Sequence, residues 1–147
     1  MSSLSMYAIN FTKLRRDPDK GWPTSTLGKS PYKPLLLLAV LDQFEQGQIT
    51  HNLIELTLDL GNLFDLYCAV VLPPGMVCNI AMPFFHMQGE GFWQLVPLPG
   101  KEAFVASGRR LISESQLANN VAGARLDDEL FVLLIVKESR DILRAAL

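Results

Sequence analysis

Two histidines, His51 and His86, and two cysteines, Cys68 and Cys78, are the imidazoles and thiols this chain has for chemistry. A nucleophilic enzyme needs a nucleophile, a base and a group that orients the base. Neither histidine stands beside a motif that supplies them, such as G-x-S-x-G. The two cysteines lie ten residues apart, a spacing that frames neither a disulfide scaffold nor a zinc site, so they read as free, small hydrophobes. Asp127, Asp128 and Glu129 are successive carboxylates at a predicted helix start, where they complement the helix dipole. There is no P-loop and no G-x-G-x-x-G, and the glycines at 89 and 91 read as turn residues. The expectation is a chain without a catalytic centre, a cofactor or a metal.

Binding is the better use of these residues. The 147 residues carry a net charge of −2, which speaks against a generic nucleic-acid binder. Residues 1–33, however, hold six basic and two acidic side chains, a local charge of +4, and the remaining 114 residues carry −6. One end of the chain can therefore present a positive face: Arg15, Arg16 and Lys29 are candidate phosphate contacts. His51-Asn52 begins like a metal-dependent nuclease motif, but no second histidine follows in the required context, and His51 reads as an exposed turn residue.

The elements that position these groups follow from periodicity and punctuation. Residues 5–16 suit a short helix with Met6, Ile9, Phe11 and Leu14 on one side, and Asp17-Pro18 breaks it. Residues 17–33 read as a long basic loop containing Trp22. Pro34 at the first helical position opens a helix whose run Leu35 to Leu41 is apolar all round, with Gly47 as its stop. A second helix spans 57–71 with Thr57 as N-cap and a stripe of Leu56, Leu60, Leu63, Phe64, Tyr67, Val70 and Val71. Residues 78–87 and 92–97 are β-prone and predict a hairpin, with Pro83 at an edge or a bulge, and 102–106 predicts a further short strand. Ser113 to Gln116 has capping-box spacing, Asp127 suits the cap of a helix at 128–136, and Ser139 that of one running to Leu147. The predicted fold is mainly α with a small antiparallel β-hairpin, in a single compact domain. At 49% apolar and 19% charged the composition is globular, and seven residues is the longest apolar run, which predicts a soluble, cytoplasmic protein with no membrane span and no signal peptide.

Three segments carry a resemblance: Ser30-Pro31-Tyr32-Lys33-Pro34-Leu35-Leu36-Leu37-Leu38; Leu60 to Phe64 with Tyr67; and Met82-Pro83-Phe84-Phe85-His86-Met87 followed by Gly91-Phe92-Trp93-Gln94-Leu95. Together they resemble the N-terminal sulfur-binding domain of phosphorothioate-dependent restriction endonucleases of the McrA type, over roughly residues 10–147. The resemblance implies recognition of double-stranded DNA in which a non-bridging phosphate oxygen is replaced by sulfur, as the targeting module of a modification-dependent bacterial defence enzyme. It also implies an HNH nuclease domain C-terminal to this one in a full-length protein. That domain is absent here, which implies an excised domain or a naturally short form.

The resemblance places a sulfur pocket at Tyr32 and Lys33, Met82 and Pro83, and His86, with a later arginine at Arg109 or Arg110. Better-known members carry His where Tyr32 stands, an aromatic where Met82 stands and a small residue where His86 stands. Tyr32 keeps a hydrogen-bonding group and Met82 a soft wall, while the His86 imidazole either fills the cup or bonds a phosphate. Without the resemblance, the same residues also suit a different class, a helical protein-interaction or regulatory module with no DNA contact.

Overall fold

The computed structural model describes residues 2–16, 30–76 and 78–147. Lys29, Trp22 and most of the predicted basic loop lie outside the described residues. Among the latter are eight α-helices, a 3₁₀ turn and two strands: α1 Ser3–Thr12, α2 Tyr32–Glu45, α3 Leu58–Val71, α4 Ala81–His86, the 3₁₀ turn Met87–Glu90, β1 Trp93–Pro97, α5 Glu102–Ala106, α6 Glu114–Asn120, β2 Val121–Leu126, α7 Asp128–Ile135 and α8 Lys137–Ala145. The mainly helical fold with one small antiparallel sheet is the predicted class.

Helix α2 is the axis of the core. Leu36, Ala39 and Val40 are fully buried, and α3, α4, α7 and α8 pack around this helix. Tyr32 is its first residue, so Pro34 sits two positions later than expected, still in the first turn where a missing N–H leaves no intrahelical bond unmade. At the other end the Gln48 N–H donates to Gln43 O and Gly47 N–H to Phe44 O, with Gly47 at φ 74°: a Schellman closure that needs glycine's left-handed backbone. Thr57 caps α3 as predicted, its Oγ1 accepting the Leu60 N–H at 3.2 Å. Leu60, Phe64 and Cys68 form the buried line of α3, whereas Val70 is 85% exposed and does not belong to the stripe. In α1 the buried residues are Tyr7 and Phe11, joined by Leu14 beyond the helix end; Met6 and Ile9 face solvent.

Several expectations fail. Residues 78–87 are not a hairpin arm: Ile80, Ala81, Phe84 and Met87 are buried at helical spacing, and Pro83 falls at the third residue of α4, where its lost donor costs no intrahelical bond. The Asn79 side chain accepts the Ala81 N–H at 3.1 Å and starts that turn. Strand β1 pairs instead with β2, Trp93 opposite Leu126, a strand that small residues (Ala122, Gly123, Ala124) concealed in the sequence. Residues 102–106 are helix α5, closed by Gly108 at φ 76°. Ser139 lies inside α8 and does not cap it; the chain bends at Val136, and the buried Arg140 guanidinium donates to the end carbonyls of α7, Leu134 O at 3.0 Å and Ile135 O at 2.9 Å. Asp127 stands at the N-cap of α7, yet its carboxylate accepts the Tyr7 hydroxyl at 2.7 Å. Ser113 does cap α6, its Oγ accepting the Gln116 N–H at 3.2 Å. The Gln116 side chain reaches one residue further back than a capping box requires and accepts the Ile112 N–H at 3.1 Å.

Gly123 is fixed by a close approach. Ile54 exchanges both backbone hydrogen bonds with Ala124, at 2.7 and 2.9 Å, and brings its carbonyl beside the glycine. A Cβ at 123 would stand 2.6 Å from Ile54 O and 2.9 Å from Leu53 Cδ1. Gly123→Ala is therefore expected to destabilise the protein by about 1–3 kcal/mol, measured by urea denaturation, because backbone rather than a pliable side chain must move.

Candidate functional site

The first turn of α2, helix α4 and the 3₁₀ turn that follows it meet the segment after α1, and the loop before α6 closes the ring. Between them lies an open cavity of about 530 Å³. Tyr32, Lys33, Met82, Pro83 and His86, the five residues expected at the sulfur pocket, all line it, and Arg15 and Arg110 complete its rim. Ser30, Phe85, Gln88 and Gly89 line it as well. Lys29 lies outside the described residues. Arg16 is turned to the backbone, its Nε donating to Ser30 O at 2.8 Å, and so braces the entrance to α2 instead of lining the cavity. Arg109 stacks on Phe104 of α5, its guanidinium carbon 5.6 Å from the ring centroid. Of the two arginines left open by sequence, Arg110 is the one at the cavity.

The wall and the rim have different origins. Pro83 and Phe85 are buried residues of α4 that turn an apolar edge to the cavity, with half-buried Met82 between them and the solvent. Helix α4 is held from below by Trp93, fully buried, whose Nε1–H donates to Phe84 O at 3.0 Å while the two rings meet edge to face at 5.1 Å. Tyr32 is set by its ring packing on Phe64 of α3 at 6.2 Å, and burial, then the thiols of Cys78 and Cys68, push its phenol pKa up, so it remains a neutral hydroxyl. Both cysteines are free, as their spacing suggested.

Lys33 does not face the cavity alone. Its Nζ pairs with Glu90 Oε2 at 2.5 Å, with the two side chains only 12% and 10% exposed, and the same oxygen accepts the Arg15 N–H at 3.0 Å. Glu90 escaped the sequence reading because the Gln88-Gly89-Glu90-Gly91 run was assigned to a hairpin turn; it is instead the last residue of the 3₁₀ turn, closed by Gly91 at φ 90°, and pairs back onto α2 through Lys33. His86 rests edge-on against Phe85 at 5.1 Å. Burial, then the positive charges of Arg110 and Lys33, hold its imidazole pKa below the ordinary 6.5. It is therefore neutral at physiological pH, with its polar atoms available for hydrogen bonding.

The cavity thus offers apolar surface, a neutral imidazole and phenol, and cations in one lining. That combination suits an anion that is soft on one side. Among the described residues no group of three or more His, Cys, Asp or Glu is arranged to hold a metal ion, and no helix is long and apolar enough to cross a membrane. His51 lies exposed in a turn, as expected. No family model matches the chain, and no curated protein does either.

Two outcomes follow. Trp93→Phe removes the only donor on that side chain and leaves Phe84 O short of a buried partner; thermal unfolding should show a loss of about 1–3 kcal/mol. The depressed His86 pKa means that, as pH falls through 6.5, the unfolded chain takes up a proton that the folded chain resists. Stability in urea is therefore expected to fall on acidification below that value, and His86→Gln to remove that part of the slope.

Proposed function

We propose that this chain is a reader of double-stranded DNA carrying a backbone phosphorothioate, acting in the cytoplasm as the recognition module of a modification-dependent nuclease and itself without catalytic activity. The observation that carries the reading is the convergence in one cavity of an apolar wall, Met82, Pro83 and Phe85, with the cations Arg15, Lys33 and Arg110. Sulfur is larger, more polarizable and less well hydrated than oxygen, while the modified group keeps its negative charge. A phosphorothioate therefore gains from contact with an apolar surface that an oxygen must be desolvated to reach, and its remaining oxygen still needs cations and donors. His86 and Tyr32, both neutral and both in the lining, would serve as hydrogen-bonding groups toward that oxygen or the flanking ester. Arg15 and Arg110, both exposed, would grip the neighbouring phosphates without regard to sequence.

One feature favours a second reading, a protein-interaction module. Helix α7 leaves Val132 and Ile135 62% and 57% exposed, and Val136 after it 45%. Binding assays with matched plain and phosphorothioate duplexes across a salt series separate the two readings: a module of the second kind binds neither duplex at low salt.

The substitution that tests the wall is Pro83→Ala. Alanine is at home in the first turn of α4, so the fold should survive. Removal of ring methylenes worth about 0.8 kcal/mol each when buried should cost modified DNA on the order of tenfold in affinity. Plain DNA should change little. A folded variant that still separates sulfur from oxygen as well as the parent would place the sulfur contact elsewhere.

A further inference from the structure

Every cation of the cavity is exposed or open to ligand except Lys33, whose charge is already spent. Its ammonium is paired with Glu90 in a setting where both side chains are nine-tenths out of solvent, and the Arg15 N–H donates to the same carboxylate oxygen. An amine and a backbone N–H converging on one anionic oxygen is the arrangement an incoming phosphate oxygen would require. We infer that Glu90, which does not itself line the cavity, is an internal stand-in for the ligand anion: it holds the ammonium of the cavity-lining Lys33 and the Arg15 N–H, and must be displaced before these two can grip a backbone phosphate. The inference rests on reading the cavity as an anion site and adds to it the residue that sets the threshold for entry.

The consequence follows from a comparison of states. Displacement costs the Lys33–Glu90 pair and leaves a carboxylate beside an arriving anion, and it costs the same whether that anion carries sulfur or oxygen. Glu90 therefore weakens all ligands by one factor and leaves their ratio unchanged. The effect on occupancy is nevertheless selective. Plain backbone, which gains nothing from the Pro83 wall, is pushed below useful affinity, while a phosphorothioate, helped by the wall, stays above it. Glu90 acts on the threshold and Pro83 on the ratio.

Glu90→Gln tests this. The amide is isosteric and its oxygen still accepts the Arg15 N–H, so the turn should hold, which thermal unfolding checks. The first arm uses inorganic thiophosphate, followed by the imidazole proton shifts of His86 at the cavity. The variant should bind it about tenfold more tightly, the value of one charge-assisted contact no longer contested. Unchanged or weaker binding in the folded variant overturns the inference and makes Glu90 a residue that merely positions Lys33. Glu90→Asp, which withdraws the carboxylate from Lys33 without changing the net charge, should gain in the same direction by less; no gain there counts equally against it. In a Lys33→Met background Glu90→Gln should bring no gain, and a gain that persists would mean general repulsion and overturn the pairing. The second arm repeats the measurement with plain and phosphorothioate duplexes, where both affinities should rise by one factor. A gain for thiophosphate with no binding of either duplex would sink the DNA reading and leave the role of Glu90 standing.

Discussion

The hydrogen bond from the Trp93 indole to Phe84 O is the constraint on which the rest of the candidate site depends. Helix α4 is six residues long, too short to be stable on its own, and it reaches the surface with four of those residues buried. Its position is therefore set by what lies beneath it. Trp93 opens β1, and β1 is fixed by pairing with β2, which is fixed in turn by the Ile54–Ala124 bridge under Gly123. A chain of backbone hydrogen bonds thus runs from the loop before α3, through the two-stranded sheet, to one indole N–H and the wall of the cavity. Tertiary burial supplies what local propensity does not: Ile80, Ala81, Phe84 and Met87 give up solvent on one side of the turn, and Pro83 is left to present its ring on the other.

The cationic part of the lining is positioned by a second, electrostatic device. Lys33 and Glu90 belong to elements far apart in sequence, the start of α2 and the end of the 3₁₀ turn, and their pairing ties the rim to the wall. A pair of this kind gains little over its own desolvation, so its value to stability is small, but removing one partner strands the other. The same holds at the far side of α2, where Arg144 bonds Asp42 at 2.8 Å and Asp42 also accepts the Tyr67 hydroxyl at 2.6 Å. There the charges are partly solvated and brace α3 and α8 against α2. At the cavity the pair is shielded, and an anion that is to reach the Lys33 ammonium must exchange with Glu90.

How far the sequence foretold this varies with the physics involved. Signals that act within one turn survived in part: Thr57 and Ser113 cap the helices they were expected to cap and Gly47 closes α2, whereas Ser139 lies inside α8 and the Asp127 carboxylate is taken by the Tyr7 hydroxyl. Signals that depend on which face is buried did not. The 78–87 segment is rich in β-prone residues, and its helical spacing of buried positions is hard to see because Phe85 and Met82 are apolar too. β2 carries Ala122, Gly123 and Ala124, which say nothing about strand propensity and everything about close packing against Ile54. Yet Tyr32, Lys33, Met82, Pro83 and His86 meet in one cavity although the element bearing the last three was read as a strand. Their identities came from the resemblance carried by the motifs around Pro31–Pro34 and Met82–Met87, which does not depend on whether the second motif is a strand or a helix. Glu90 was not, because an acidic residue in a Gly-bearing run looks like an ordinary turn.

Charge alone cannot make this cavity a selective one. Arg15 and Arg110 lie exposed on the rim, where a Debye length of about 8 Å at physiological salt screens them and where every phosphate looks alike. Lys33 is the sheltered cation of the lining and also the one already committed, to Glu90. Discrimination between two anions of equal charge must then arise from the uncharged surfaces, and these are rigid: a proline ring in a helical first turn, a phenylalanine edge under it, and a phenol packed on Phe64. Met82, half-buried, adds a soft, unbranched side chain to the same lining. On the proposed reading, an apolar wall beside an already paired ammonium would reward the size and polarizability of the ligand atom and give little for its charge, which is what would set such a cavity apart from a generic phosphate site.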